Sequence, residues 1–244
     1  MCYICVLEKQ FYMKKLSFIF RLVLVAFLLT FAVDKGYASD GGLIWPDSLN
    51  TAKEASYLTG EEKAVILEMN KVRTNPKAYA DYLKMEKQYY DGMKVKKPGL
   101  VILLTNEGIA AVDECIEYLE KAEPQRMLYP DEALYKAARD LAKEQSQNGE
   151  TGHEGKDGTD FADRVNYHSE KAYRSLGENI SYGRDKAFDI LLQLLIDDGV
   201  PSRGHRVNIM SPDYEYCGVA IEPHPLYGYV CVIDYAAFFE KKKK

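Results

Sequence analysis

The sequence predicts an α+β domain in which helices cover an antiparallel sheet. Two observations lead to this prediction. Apolar residues recur at helical spacing through most of the chain, and they alternate along two runs near its C-terminus. The composition agrees with a folded domain, because 47% of the 244 residues are hydrophobic and 28% are charged.

A leader precedes this domain. Residues 13–38 begin with Met13 and the adjacent Lys14 and Lys15, followed by an apolar core and small residues, the pattern of a secretory signal cleaved after Ala38. We interpret residues 1–12 as an over-extended start and residues 39–58 as a linker. The alternative is an uncleaved membrane anchor, although Arg21 interrupts the apolar run. We therefore expect a secreted protein, extracellular or periplasmic, that meets the membrane only through an uncleaved signal segment.

The charge balance argues against nucleic acid as a partner. The whole chain has a net charge of -5, and removal of the leader takes away five cations but only two anions. A protein that binds phosphate backbones needs an excess of cations, which this chain lacks.

The predicted domain begins with two adjacent helices. Thr59 and Glu62 form the T-x-x-E pattern of a capping box, and the apolar spacing that follows predicts a helix to about Arg73. Asn75 is suited to cap a second helix, because Pro76 then occupies the first helical position.

The middle of the chain predicts two longer helices. The stretch "LVILLT" is either a buried strand or an extended apolar segment. Thr105 or Asn106 caps the next helix, which Pro124 ends. A further helix covers residues 131–148, with Gly149 as its stop.

A long polar, glycine-rich segment follows. Residues 149–183 predict a functional loop with one short helix around residues 161–165, because long loops in compact domains tend to carry function. Asp185 then caps a strongly amphipathic helix.

The C-terminal runs predict a hairpin. If its turn centres on His224, which we interpret as a surface turn residue, then Cys217 lies opposite Cys231. The two cysteines would either form a disulfide or remain core thiols. Cys115 lies beside an apolar helix face and is expected to be a buried thiol.

Two of the four histidines are candidates for chemistry. His153 and His205 each follow a glycine in a polar segment, and Glu178 lies between them in "GEN". Two imidazoles and a carboxylate can bind zinc as three protein ligands with an open position. They can equally supply a general base and an orienting acid. His168 has no distinctive neighbours.

Five motifs in order carry a family resemblance that covers roughly residues 60–236. They are "ILEMNKVRTNPKAYA", "ALYKAARDLAKEQSQNGETGHEGKDG", "GENISYG", "SRGHRVNIM" and "YCGVAI". Together they resemble the CAP superfamily of cysteine-rich secretory, antigen 5 and PR-1-like proteins, and most of all its bacterial SCP-like extracellular branch. The resemblance implies one domain over residues 59–240, folded as an α-β-α sandwich with a central cleft.

The resemblance also implies a site. In many members two histidines and two acids line the cleft and can hold a divalent metal, zinc most of all, which folding would not require. The matching residues are His153, His205 and Glu178, with Asp197 of "LLID" as the candidate second acid. Aspartate stands there in place of the usual glutamate.

Three neighbours complete the set of cleft candidates. Ser202 invites a serine-hydrolase interpretation, but the chain has no G-x-S-x-G elbow, and structural hydrogen bonds on a loop are the simpler expectation. Asn179 is expected to bond backbone groups in a turn. Arg206 is expected to pair with a carboxylate such as Asp198 or Asp213.

Three functions compete at this stage. The first, which we favour, is a secreted binding module for a divalent metal, for a lipid or sterol, or for a cell-surface or cell-wall partner. The second is a zinc-dependent hydrolase or peptidase that uses the same cleft. The third is a structural or adhesive surface protein whose cleft is vestigial. The residues favour no enzymatic reaction over the binding function.

Overall fold

The computed structural model describes residues 45–99 and 102–238. Its helices are α1 Gly60–Thr74, α2 Pro76–Glu86, α3 Ile109–Lys121, α4 Glu132–Asn148, α5 Phe161–His168, α6 Ala187–Ile196 and α7 Gly204–Met210. Its strands are β1 Tyr90–Asp91, β2 Lys94–Val95, β3 Leu103–Leu104, β4 Tyr129–Pro130, β5 Tyr173–Tyr182, β6 Tyr216–His224 and β7 Gly228–Phe238.

The four-stranded sheet lies between helices, which confirms the α+β sandwich. Its order is β4-β6-β7-β5, with β5, β6 and β7 antiparallel and β4 parallel to β6. Helix α4 packs on β6 and β7, while α1 packs on β6 and on α6. The short strands β1, β2 and β3 form a separate antiparallel sheet.

Local sequence explains most helix ends. The Thr59 hydroxyl accepts the backbone N–H of Glu62, and the Glu62 carboxylate accepts that of Thr59, which confirms the capping box. Asn75 caps α2 with Pro76 in its first turn. Helix α4 ends at Gly149, whose φ of 73° is left-handed backbone that glycine adopts without strain.

Two predicted caps are wrong. Helix α3 follows Gly108 and has no side-chain cap, because the backbone N–H groups of Asn106 and Glu107 donate instead to the Asp198 carboxylate, both at 2.7 Å. Helix α6 follows Lys186, again without a side-chain cap.

The predicted linker is wrong where the structure describes it. Residues 45–58 pack against the domain, and Leu49, Ala52 and Leu58 are buried. The Trp45 indole N–H donates to the Tyr82 hydroxyl at 2.8 Å. The predicted start, signal and cleavage site lie outside the described residues. Within the described ranges, every helix is too short or too polar to cross a membrane.

Two regular elements lie where the sequence predicted loops. Strand β5 occupies the polar segment, so that "GENISY" is part of the sheet edge. "GHRVNIM" is the short helix α7, which begins after Arg203, itself in the left-handed region with a φ of 52°.

The hairpin prediction is correct in kind but wrong in register. His224 pairs with Gly228, so Cys217 lies opposite Tyr235, and Cys231 lies opposite Ile221. The two cysteines are therefore four residues out of register. At about 3.4 Å per residue the separation exceeds the roughly 7 Å limit for a disulfide. Both are free, buried thiols, as is Cys115.

His224 is not a surface residue, because only 2% of it is exposed. Its Nδ1 accepts the backbone N–H groups of Leu226 and Tyr227, and its Nε2 donates to the Glu150 carbonyl at 3.0 Å. The imidazole therefore ties the hairpin turn to the loop that carries His153.

Candidate functional site

The first histidine of the site is held by a buried carboxylate. His153 Nδ1 lies 2.7 Å from Glu178 Oε1, and Arg164 donates to Glu178 Oε2 at 2.6 Å. The side chain of His153 is about half exposed, whereas that of Glu178 is 1% exposed. Because an ionised carboxylate only accepts hydrogen bonds, Nδ1 carries the proton. The hydrogen bond from His153 to Glu178 raises the pKa of the imidazole.

A second acid lies behind Glu178. Asp234 is opposite Glu178 in the β5–β7 register, and it is fully buried. Burial first, and then the nearby Glu178 charge, raise the pKa of Asp234 well above its usual range. Within the described residues neither oxygen of Asp234 has a hydrogen-bond partner, whereas Glu178 accepts from Arg164, so Asp234 is the group that holds a proton.

The loop that carries His153 is fixed at its preceding residue. The backbone N–H of Gly152 donates to the Tyr182 hydroxyl at 2.9 Å, and its carbonyl accepts from Gln145 at 2.7 Å. The Tyr182 hydroxyl donates in turn to Gln145 at 3.0 Å. Arg164 also donates to the carbonyl of His153 itself. These bonds position the ring near strand β5.

The second histidine forms a matching pair with Asp197. The ring Nδ1 of His205 lies 2.6 Å from Asp197 Oδ1, and its backbone N–H donates to Oδ2 at 3.0 Å. Asp197 ends helix α6 in a left-handed conformation with a φ of 56° and is 3% exposed. This turn directs its carboxylate at the start of α7. The aspartate of "LLID" thus reaches His205 despite its short side chain.

An ion-pair cluster anchors α7 beneath His205. Arg206 is buried and donates to both oxygens of Glu114, at 2.7 and 2.9 Å, rather than to the predicted Asp198 or Asp213. Arg203 donates to both oxygens of Glu107, each at 2.7 Å, and holds the pKa of that carboxyl at about 2. These ion pairs connect helix α7 and the residue before it to helix α3 and the segment before it.

Asn179 connects strand β5 to the same helix. Its amide donates to the carbonyl of His205 at 3.0 Å and to the Tyr235 hydroxyl at 3.2 Å, and it accepts from Asn208 at 2.9 Å. Asn179 is completely buried in the strand, not in the predicted turn. Ser202 is exposed, and within the described chain its hydroxyl has no hydrogen bond to His205. A serine–histidine pair is therefore not formed.

The three-ligand arrangement expected of His153, Glu178 and His205 is not assembled. Both carboxylate oxygens of Glu178 already accept hydrogen bonds, one from His153 and the other from Arg164. Among residues 45–99 and 102–238, no three His, Cys, Asp or Glu side chains are grouped so that they could hold a metal ion. The donor chemistry fits two imidazoles instead: metal-binding histidines usually donate their other ring N–H to a carboxylate, and both histidines do so here.

A cleft of about 420 Å³ runs along helix α6 to His205. The face of α6 towards it repeats at helical spacing through Asp189, Leu192, Gln193 and Ile196. The small sheet contributes Val95 and Leu103 to the cleft wall, and strand β5 contributes Ile180 and Tyr182. Asp197 and His205 are part of this lining, whereas Glu178 and His153 are not.

The chain belongs to the CAP family. The family model described as "CAP: Cysteine-rich secretory protein family" matches residues 67–235, which is more than half of the chain. A comparison with curated proteins finds no match.

Three solved structures show weaker likeness. An extracellular SCP-domain protein from Bacillus anthracis is 19% identical, with a TM-score of 0.39, over 46% of this chain and 34% of its own. An outer surface protein of Borrelia burgdorferi is 17% identical, with a TM-score of 0.41, over 47% of this chain and 80% of its own. A venom allergen-like protein of Schistosoma mansoni is 13% identical, with a TM-score of 0.41, over 75% of this chain and 92% of its own. This chain thus spans about a third of the Bacillus protein.

Sequence reasoning missed several residues of the site. Asp234 gave a readable signal, since an acid interrupts an apolar strand in "VCVIDY". Arg164 gave none, because a single arginine on a short helix is usually a solvated residue. Tyr182 and His224 act through backbone groups of a distant loop, and no spacing in the sequence reveals such a contact.

Proposed function

We propose that this chain is a secreted ligand-binding module of the CAP family, with its binding site in the cleft along α6. The observation that supports the proposal is an imidazole–carboxylate pair, His205–Asp197, in the wall of this cleft. A second such pair, His153–Glu178, includes the residue next to Asn179, whose amide donates to the His205 carbonyl. Secretion is proposed from the leader pattern and from the family, whose Bacillus and Borrelia relatives are named as extracellular and outer surface proteins.

The cleft suits a small apolar ligand such as a lipid or sterol. Its volume of about 420 Å³ lies within the range of ordinary ligand pockets, and its walls combine apolar side chains with a few polar ones. A ligand inside would bury apolar surface mainly on Leu103 of the small sheet, because Leu192 and Ile196 of α6 are only 6% and 7% exposed without it. Burying such side chains drives binding at about 25 cal/mol per Å² of apolar surface.

A neutral fluorescent probe tests the apolar cleft. N-phenyl-1-naphthylamine should bind with one-to-one stoichiometry, and Leu103→Glu should weaken binding about tenfold, because a charge replaces apolar wall. Leu226→Glu is the matched control, since Leu226 is 74% exposed at the hairpin turn. Equal binding by wild type and both variants would show that the probe does not use this cleft.

A divalent metal forms the second part of the proposal. The Nε2 atoms of His153 and His205 would hold it, and Glu178 and Asp197 would orient the two rings. Bound zinc would supply a Lewis acid or an activated water. The chain contributes two imidazoles whose Nδ1 atoms are bonded to carboxylates, which leaves both Nε2 atoms for the metal.

Zinc titration by calorimetry tests this part. His153→Ala and His205→Ala should each lower zinc affinity at least tenfold, a magnitude typical of the loss of a ligand or its orienting partner. His168→Ala is the control, because His168 forms a similar pair with Asp140, at 2.6 Å, on another part of the surface. A loss in the control equal to that in the other two variants would place the zinc elsewhere.

A further inference from the structure

One arginine stands out from all others that the structure describes. Seven of the eight arginines in the described ranges donate to a carboxylate or a backbone carbonyl, or lie within 4 Å of a carboxylate. Arg184 is the exception: within those ranges its guanidinium has no hydrogen-bond or ion-pair partner. It is half-buried and lines the cleft.

The carboxylates of the cleft do not need Arg184. Lys97 lies between Glu86 and Asp189, at 2.7 and 3.2 Å. Asp198 accepts two backbone N–H groups, and Asp197 accepts from His205. Each acid therefore has its donors within the protein, whereas the five N–H donors of the Arg184 guanidinium have no acceptor among residues 45–99 and 102–238.

The position of Arg184 defines the shape of a ligand. Arg184 precedes helix α6, and His205 lies beyond its other end. Ten residues of helix at 1.5 Å each place the two ends about 15 Å apart. Between them the floor is apolar at Ile180, Leu192 and Ile196. Tyr90 is near the arginine, since burial raises the pKa of Tyr90 to about 12 and the charge of Arg184 opposes that rise.

We infer that the cleft takes an elongated amphipathic anion, whose carboxylate or phosphate head binds Arg184 and whose apolar stem lies along α6 towards His205. This inference rests on the proposed ligand-binding function and adds the head-group chemistry. Guanidinium is the side chain that best matches the two oxygens of a carboxylate or phosphate, through paired N–H···O bonds. The half-buried position strengthens such bonds relative to bulk water.

Calorimetric titration of the full chain with decanoate, decyl phosphate and decanol, each below its micelle concentration, tests the inference. The two anions should bind at least tenfold tighter than decanol, because hydrogen bonds between two charged groups are stronger than those to a neutral hydroxyl. The tighter of the two anions identifies the head group. Arg184→Gln should lower anion affinity to the decanol level, and Arg184→Lys should keep part of it.

Lys186→Gln is the control for loss of charge. Lys186 is two residues away and exposed, and it pairs with Glu61 and Asp185 outside the cleft lining. Equal affinity for decanoate and decanol, or equal losses in the Gln variants of Arg184 and Lys186, would overturn the head-group assignment while leaving the apolar cleft intact. Failure of all three amphiphiles to bind would overturn the inference and the lipid part of the proposed function together.

Discussion

Glu178 and Arg164 give the sharpest stability prediction. Their side chains are 1% and 6% exposed and meet at 2.6 Å. Glu178→Gln leaves the guanidinium buried without its counterion. Breaking a buried ion pair from one side costs about 3–5 kcal/mol of the free energy of unfolding, far more than the loss of an exposed pair.

Asp234 modifies this result in a testable way. Burial and the Glu178 charge raise the pKa of Asp234, and the Arg164 charge lowers it. Once residue 178 is neutral, only burial opposes ionisation of Asp234, and the acid can then act as a partial counterion for Arg164. Glu178→Gln alone should therefore keep part of the stability, and the full loss should require Glu178→Gln with Asp234→Asn. Asp234→Asn alone should cost less than about 1 kcal/mol, because neither oxygen of Asp234 makes a hydrogen bond within the described residues that the substitution would remove.

Urea unfolding monitored by circular dichroism measures these differences through the midpoint at constant slope. For a domain of 150–250 residues each kcal/mol shifts the melting temperature by about 2–4 °C, so the double variant should melt about 6–20 °C lower. Adding Arg164→Met should recover much of the loss, because no unpaired charge then remains buried. A double variant within about 1 kcal/mol of wild type, or a triple variant less stable than the double, would refute the reasoning.

Three further predictions concern protonation and packing. The pKa of Asp234 in the folded protein lies above about 4, the pKa of aspartate in the unfolded chain, because the folded acid holds its proton more tightly. Wild type should therefore lose stability as the pH rises through this range, whereas Asp234→Asn should not. Matched pH–urea series measure the difference. NMR titration should give His153 a pKa above that of a free imidazole, and Glu178→Gln should lower that pKa. An unchanged pKa of His153 in the variant would show that Glu178 does not raise it. Gly218→Ala should cost about 3 kcal/mol or more, because its Cβ would collide with the backbone at Tyr135; a smaller loss in urea unfolding would show that α4 can move.

Local signals in the sequence predict the helices well. The Thr59 capping box, the Asn75–Pro76 start and the Gly149 stop depend on neighbouring residues alone, and each is in place. The amphipathic stripe of α6 is likewise a local pattern. The motif resemblance pointed to His153, Glu178, His205 and Asp197, which lie in two hydrogen-bonded pairs.

Strand β5 and helix α7 depend on contacts that local patterns do not contain. Glu178 and Asn179 are buried polar residues satisfied by Arg164, His153 and groups near α7, so β5 lacks the apolar alternation of an ordinary strand. Helix α7 has seven residues, too few for a periodic signal, and ion pairs to α3 hold it.

The hairpin register depends on the turn. Three residues, Pro225 to Tyr227, separate the paired His224 and Gly228, whereas the sequence interpretation centred the turn on His224 itself. A shift of the turn by two residues moves each cross-strand pairing by four. For this reason the disulfide alternative for Cys217 and Cys231 is wrong, and the alternative of two core thiols is correct.

Crystals grown without metal and then soaked in zinc test the proposed site most directly. Anomalous difference maps should place one ion about 2.0–2.1 Å from Nε2 of both His153 and His205, with Glu178 and Asp197 still bonded to the Nδ1 atoms. An ion bound by other residues, or no ion at either imidazole in crystals soaked at saturating zinc, would contradict the assignment of these two pairs to one site.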